Sequence, residues 1–196
     1  MKPVCLVMGA GAGIGGTTGA RFAQEGYHAA LCRRSDADGL QQMVADIESA
    51  GGSASGYLLN AVDDDSIEQH VHAIEAEHGP IEVVVYNLGA QIGDRSLADT
   101  SLKAFELGWR MATFGLFRLA KELAPLMVGR GGGTILVTSA TSAMRGNGGQ
   151  HSHAAAMAGR RMLCQSLNAE FAAQGIHVAH IIIDCLLYTS PSPRDS

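Results

Sequence analysis

The chain has 196 residues, of which 25 are glycine, 46% belong to the AVILMFWYC set and only 17% are charged. Glycine is near twice its average usage but follows no three-residue period, which excludes collagen, and the apolar content excludes disorder. The net charge of -5 argues against an electrostatic grip on nucleic acid, and no apolar run approaches the length of a membrane span.

In chain order, strand-like and helix-like segments alternate. Residues 3–8 form a short apolar run that stops at glycines, and residues 14–24 read as a helix entered through them. Residues 28–32 are a second strand. Residues 36–50 carry Leu40, Met43, Val44 and Ile47 at i, i+3, i+4 and i+7, an amphipathic helix closed by Gly51-Gly52. Residues 53–60 are a weaker strand. A third helix opens at the acidic run Asp63-Asp64-Asp65-Ser66, faces Ile67, Val71 and Ile74 inward, and stops at Gly79-Pro80. Residues 81–86 (IEVVVY) are the clearest strand. A long helix is expected across residues 101–127, with Phe105, Trp109, Ala112, Leu116 and Leu123 on one stripe. Gly131-Gly132-Gly133 lead into a strand over 134–138. A helix over 150–173 and a sixth strand over 177–183 follow. This alternation implies right-handed crossovers and an α/β fold, a doubly wound parallel sheet with helices on both faces.

Residues 185–196 (CLLYTSPSPRDS) break the pattern, placing prolines and serines directly after a buried-type strand. A polar disordered tail is one reading. The string also resembles translated sequencing-adapter sequence, and that reading is preferred. The expectation is therefore a native domain over residues 1–184, incomplete at its C-terminus, with a non-native tail over 185–196. Cys5, Cys32, Cys164 and Cys185 lie far apart without a CxxC pair, which predicts a reduced, cytoplasmic protein. No metal site is expected. His70 and His72 point to different sides of a helix, and His151 and His153 have no acidic or cysteine partner at ligand spacing.

Between the first strand and first helix runs Gly9-Ala10-Gly11-Ala12-Gly13-Ile14-Gly15. A phosphate at a helix N-terminus is held by backbone N–H groups, and side chains there would block its approach. Placed after a strand and opening a helix, these residues predict a dinucleotide turn. Here the chain resembles the short-chain dehydrogenase/reductase family. Its TGxxxGxG pattern is matched by Met8 through Gly15, except for Met8 in place of Thr. Its NNAG mark appears as Tyr86-Asn87-Leu88-Gly89, and Arg145 through Gln150 look like the loop before the catalytic helix. The resemblance implies a Rossmann-type domain and hydride transfer between NAD(P)(H) and a carbonyl or alcohol. It also implies cofactor contacts at Gly9, Gly11, Gly13, Ile14, Gly15, Asn60, Asn87 and Gly89.

An acidic residue at the end of the second strand would bind a ribose 2′-hydroxyl and select NAD. This chain has Arg33-Arg34, a pair suited to a 2′-phosphate, so NADP is expected, with NAD the alternative. The other reading is a pair of solvated surface arginines. Ala12 lacks the basic side chain that many NADP-dependent relatives carry, and Asn60 stands where relatives often have Asp.

The family's catalytic tetrad is Asn, Ser, Tyr and Lys. At the matching positions this chain has Ala112, Ala140, His153 and Met157. Ser139 or Ser142 could replace the serine only in a shifted register. The Pro-Gly that usually follows the sixth strand is replaced by Ile183-Asp184. On one reading His153 is a replacement acid/base, with Arg160 seven residues on supplying the lost positive charge. On the other, His153 is a helix-start residue without catalytic duty, and Met157 cannot donate to a ribose hydroxyl. Two functions follow: an oxidoreductase, or a non-catalytic nucleotide-binding module of the same fold. The resemblance also implies a homo-oligomer paired through the helices around 105–127 and 152–173, and an unknown small-molecule substrate. Neither nucleic acid nor membrane is expected as a partner.

Overall fold

β1 (Val4–Met8) sets the architecture because its side chains alternate between two cores. Val4, Leu6 and Met8 face one core, and Cys5 and Val7 face the other, all at most 1% exposed. A strand apolar on both faces needs helices on both, the signature of a buried parallel sheet. Burial pushes the thiols of Cys5 and Cys32 up to about 12, which leaves them inert.

The computed structural model describes residues 2–89 and 95–183. Among them the remaining strands are β2 (His28–Arg33), β3 (Ala54–Leu58), β4 (Ile81–Tyr86), β5 (Gly133–Ala140) and β6 (Ile176–Ile183). All pair in parallel, in the order β3-β2-β1-β4-β5-β6. This is the doubly wound arrangement the sequence predicts. The helices are α1 (Ile14–Gln24), α2 (Ala37–Ser49), α3 (Ser66–His78), α4 (Leu102–Trp109), α5 (Gly115–Gly129) and α6 (His151–Phe171). Ala23 of α1 and Leu40 and Ile47 of α2 cover one face of the sheet. Ile67, Val71 and Ile74 of α3, the buried stripe of α5, and Cys164 and Leu167 of α6 cover the other. Arg118 of α5 ties that layer together by pairing its guanidinium with Glu68 of α3, Nε to Oε1 at 2.7 Å. Its Nη1 also takes the carbonyls of Ala61 and Asp63.

One element departs from its expected form. The long helix is broken by a π-helical turn over Arg110–Phe114, which separates α4 from α5. A π turn holds more residues per turn than an α-helix, so it rotates the helix face relative to the 3.6-residue period. The expected single stripe therefore splits. Ala112, Leu116 and Leu123 are fully buried, whereas Phe105 and Trp109 are each 43% exposed. Trp109 stacks on Phe114 outside the core, with ring centroids 5.2 Å apart. The turn persists because its carbonyls have other partners. The Tyr86 hydroxyl donates to Met111 O at 2.5 Å, and Arg160 Nε donates to Ala112 O at 3.0 Å.

No helix among the described residues is long and apolar enough to cross a membrane. The sequence expectations about Asp184 and residues 185–196 lie outside the described residues.

Candidate functional site

From β1 the chain crosses to β2 on one side and later returns to β4 on the other. At such a switch point the connections diverge and leave a crevice beyond the carboxyl ends of the strands. Here it is a cavity of about 460 Å³, with Gly9, Gly11, Arg33, Arg34, Asn60, Asn87 and Gly89 among its walls. Gly13, Ile14 and Gly15 stand beside it as the entry into α1. A second cavity of about 530 Å³ lies between α1 and α2 and shares only Ala12 with the glycine-rich turn.

The glycines divide into two kinds. Gly9 has φ +94°, and a Cβ there would stand 2.8 Å from Asn87 O. A Cβ on Gly15 would stand 2.1 Å from Gly9 O. These two let the turn fold against itself. A Cβ on Gly11 or Gly13 would meet nothing within 4 Å, so intrachain packing does not require glycine there. What the missing side chains leave clear is the N-terminus of α1. Its N-cap Gly13 makes no side-chain capping bond, and the first turn carries no acid. By contrast Asp36 caps α2 and Ser101 caps α4, each with a side-chain oxygen. Unsatisfied N–H groups with the positive end of the helix dipole, on an open surface, suit a pyrophosphate.

At the β2 end, Arg33 Nη2 lies 2.9 Å from Asp36 Oδ2, while Arg34 is exposed. Asp36, held at φ +67°, also accepts from Gly39 N at 3.0 Å. It therefore aims Arg33 and starts α2 at once. Asn60 Nδ2 donates to Asp63 Oδ1 at 2.8 Å. Asn87 is spent on the scaffold. Its backbone N–H donates to Met8 O at 2.8 Å, its Nδ2 donates to Gly9 O at 3.1 Å, and its Oδ1 accepts from the Thr138 hydroxyl at 2.8 Å.

At the β5 end, Ala112, Ala140 and Met157 come together with Ala143 and Ala156 in one buried apolar cluster. Ser139 is buried, and its hydroxyl lies 3.7 Å from the Met157 sulfur. Ser142 is 4% exposed, and its hydroxyl has no partner among the described residues. Neither serine lines the crevice. His153 is half-buried in the first turn of α6 and lines a small recess with Arg95, Thr100, Ala104 and Gln150. That turn is pinned to α4 by the Ser152 hydroxyl, which donates to Ala104 O at 3.2 Å.

Arg160 does not flank His153 on the open surface. It is 1% exposed and points inward. Its guanidinium donates to Ala112 O at 3.0 Å, Thr138 O at 2.8 Å and Leu88 O at 2.5 Å, and lies 5.2 Å from the centre of the Tyr86 ring. Burial lowers its pKa from the usual arginine value, and the same burial raises that of Tyr86. An arginine starts so high that it stays charged. The reach of Arg160 to β4 and β5, and the link through Thr138 to Asn87, are missed by sequence reasoning. Helix spacing gives the face of α6 but not the carbonyls across from it. Among the described residues there is no group of three His, Cys, Asp or Glu side chains that could hold a metal ion.

Residues 3–189 match the model of the short chain dehydrogenase family. Over 175 residues the chain is 30% identical to the 3-oxoacyl-(acyl-carrier-protein) reductase FabG of Thermotoga maritima, covering 89% of this chain and 70% of the relative. The corresponding Escherichia coli reductase is 31% identical, with the same coverage. A short-chain dehydrogenase from Rhodopseudomonas palustris has a similar solved structure, with a TM-score of 0.88 and 34% identity. The match covers 98% of this chain and 86% of that one.

Proposed function

The chain belongs to the short-chain dehydrogenase family, and on that premise we propose that it binds NADP(H) in the crevice between β1 and β4. We further propose that it acts as an oxidoreductase on a carbonyl or alcohol. The observation that carries the binding reading is the pair Gly11 and Gly13, glycines that packing does not need, set before an uncapped helix. The N–H groups of Gly13, Ile14 and Gly15 would hold the pyrophosphate, Gly11 would leave its approach clear, and Gly9 lets the turn close. Arg33 and Arg34 would hold the 2′-phosphate, Asn60 the adenine edge, and Asn87 and Gly89 the wall beside the inner ribose. When bound, NADPH supplies the hydride. His153 would then give the substrate oxygen its proton, since an imidazole both donates and accepts near neutral pH.

Thermal unfolding with and without cofactor tests the binding reading. NADP(H) raises Tm more than NAD(H), and Arg33→Asp weakens NADP(H) binding more than NAD(H) binding. Equal losses would make Arg33 a bystander.

A second reading is favoured by the apolar cluster of Ala112, Ala140 and Met157, whose own side chains carry neither hydroxyl nor ammonium, while the adjacent Ser139 hydroxyl is turned to the Met157 sulfur. On that reading the chain is a non-catalytic nucleotide-binding module. NADPH oxidation against a panel of carbonyl compounds separates the two. Turnover abolished by His153→Phe supports the oxidoreductase. Cofactor binding without turnover, unchanged in that variant, supports the module.

A further inference from the structure

Arg160 is a buried charge that the proposed chemistry does not use. It is 1% exposed, and its partners are three backbone carbonyls and the Tyr86 ring. No carboxylate pairs with it among the described residues. A guanidinium held only by neutral groups keeps its full positive field, and low-dielectric surroundings screen that field poorly.

Its position relative to the crevice follows from the bonds it makes. Leu88 lies in the crevice wall between Asn87 and Gly89, and Met111 lies in the same wall. Arg160 binds the carbonyl of Leu88 and that of Ala112, the residue after Met111. It therefore stands directly behind the wall at the β4 end. If the 2′-phosphate is held by Arg33 and Arg34 at the β2 end and the pyrophosphate by the glycine-rich turn, the nicotinamide half extends toward β4. That ring is a cation when oxidised and neutral when reduced.

We infer that Arg160 is a specificity-determining residue that makes the crevice favour the reduced nicotinamide cofactor over the oxidised one. This rests on the NADP(H)-binding reading above. The adenosine half is identical in the two forms, so Arg33 and Arg34 attract both equally. Only the ring differs in charge, and only at the end where Arg160 stands. A unit-charge repulsion across roughly 10 Å at an effective dielectric near 20 changes a dissociation constant by about tenfold.

The test is a set of calorimetric titrations with NADP⁺, NADPH and 2′,5′-ADP, which lacks the nicotinamide ring. Wild-type protein binds NADPH about tenfold more tightly than NADP⁺. Arg160→Gln, which keeps N–H donors but loses the charge, brings the two to near equality and leaves 2′,5′-ADP binding unchanged. Arg160→Lys retains the preference. Because the charge is buried, the wild-type ratio also persists from low to high salt, and this decides the matter if Arg160→Gln does not fold. Equal wild-type affinities, a ratio unchanged in Arg160→Gln, or a ratio that collapses with salt would each overturn the inference. None of these results bears on whether the cofactor binds. Absence of binding by all three ligands would instead refute the reading on which the inference rests.

Discussion

Two neighbouring regions of the molecule, the crevice and the buried cluster beside it, are built differently. Toward β2 the walls are glycine backbone and two arginines, Arg33 paired with Asp36 and Arg34 exposed, with the uncapped start of α1 beside them. Toward β5, outside the crevice lining, Ala112, Ala140 and Met157 pack together as buried apolar core, and Arg160 is buried nearby, donating to Ala112 O. Binding a dinucleotide needs exposed N–H groups and room, which few residue types provide. Packing under the reacting end tolerates any apolar set of suitable volume. The difference teaches that open glycine backbone and close-packed apolar core can lie side by side at the carboxyl ends of one sheet.

The largest expected effect comes from Gly15→Val. Its Cβ would sit 2.1 Å from Gly9 O and 3.0 Å from Asn87 Nδ2, so the turn cannot close. A stability loss of more than about 3 kcal/mol in urea unfolding is expected. A fully stable variant would show that the turn is not as tight as described. Next is Met157→Lys, at the position where the family resemblance leads one to expect lysine. It places an ammonium group in an apolar cluster on the same helix as buried Arg160. It lowers stability by about 3 kcal/mol and restores no turnover. A stable variant with new activity would mean that this cluster readily accepts a charged group and can be turned to catalysis.

Gly11→Ala gives the sharper contrast with Gly15. The new methyl meets nothing within 4 Å, so unfolding free energy changes by less than about 0.5 kcal/mol. NADPH affinity nevertheless falls about tenfold, because the methyl occupies the phosphate approach. Unchanged affinity would separate Gly11 from the ligand.

A pH effect is expected at the N-terminal end of the strands, where β2 begins. His28 is buried, its Nδ1 lies 2.8 Å from the Ser53 hydroxyl, and its ring stacks on His78 with centroids 3.9 Å apart. Burial first, and the neighbouring His78 second, push its pKa down to about 4 from 6.5. The unfolded chain then binds a proton more readily than the folded one. The stability contribution is complete above pH 6.5 and is lost as pH falls toward 4. His28→Asn flattens that decline in urea unfolding at pH 7 and pH 5, with or without NADPH. A decline abolished by NADPH would tie this end of the strands to the crevice.

Much of this was legible in the sequence, for physical reasons that can be named. β4 and α1 carry the bounds the pattern predicts, because IEVVVY suits only a buried strand and glycines delimit the helix. The crevice brings together Gly9, Gly11, Arg33, Arg34, Asn60, Asn87 and Gly89 because switch-point topology places the ends of β1, β2 and β4 side by side. The π turn was not legible. It depends on Tyr86 and Arg160 capturing carbonyls from elements 25 and 48 residues away in sequence, which local periodicity does not encode. The inward course of Arg160 escaped for the same reason. Helix spacing places it on the face of His153, while its length lets it turn under the floor.

Calorimetric titration of the wild-type protein with NADPH and NADH under identical conditions tests the central claim most directly. A single-site isotherm with NADPH, at least about tenfold tighter than with NADH, is predicted from the arginine pair and the open helix N-terminus. No binding of either cofactor, with no change in Tm, would contradict the account.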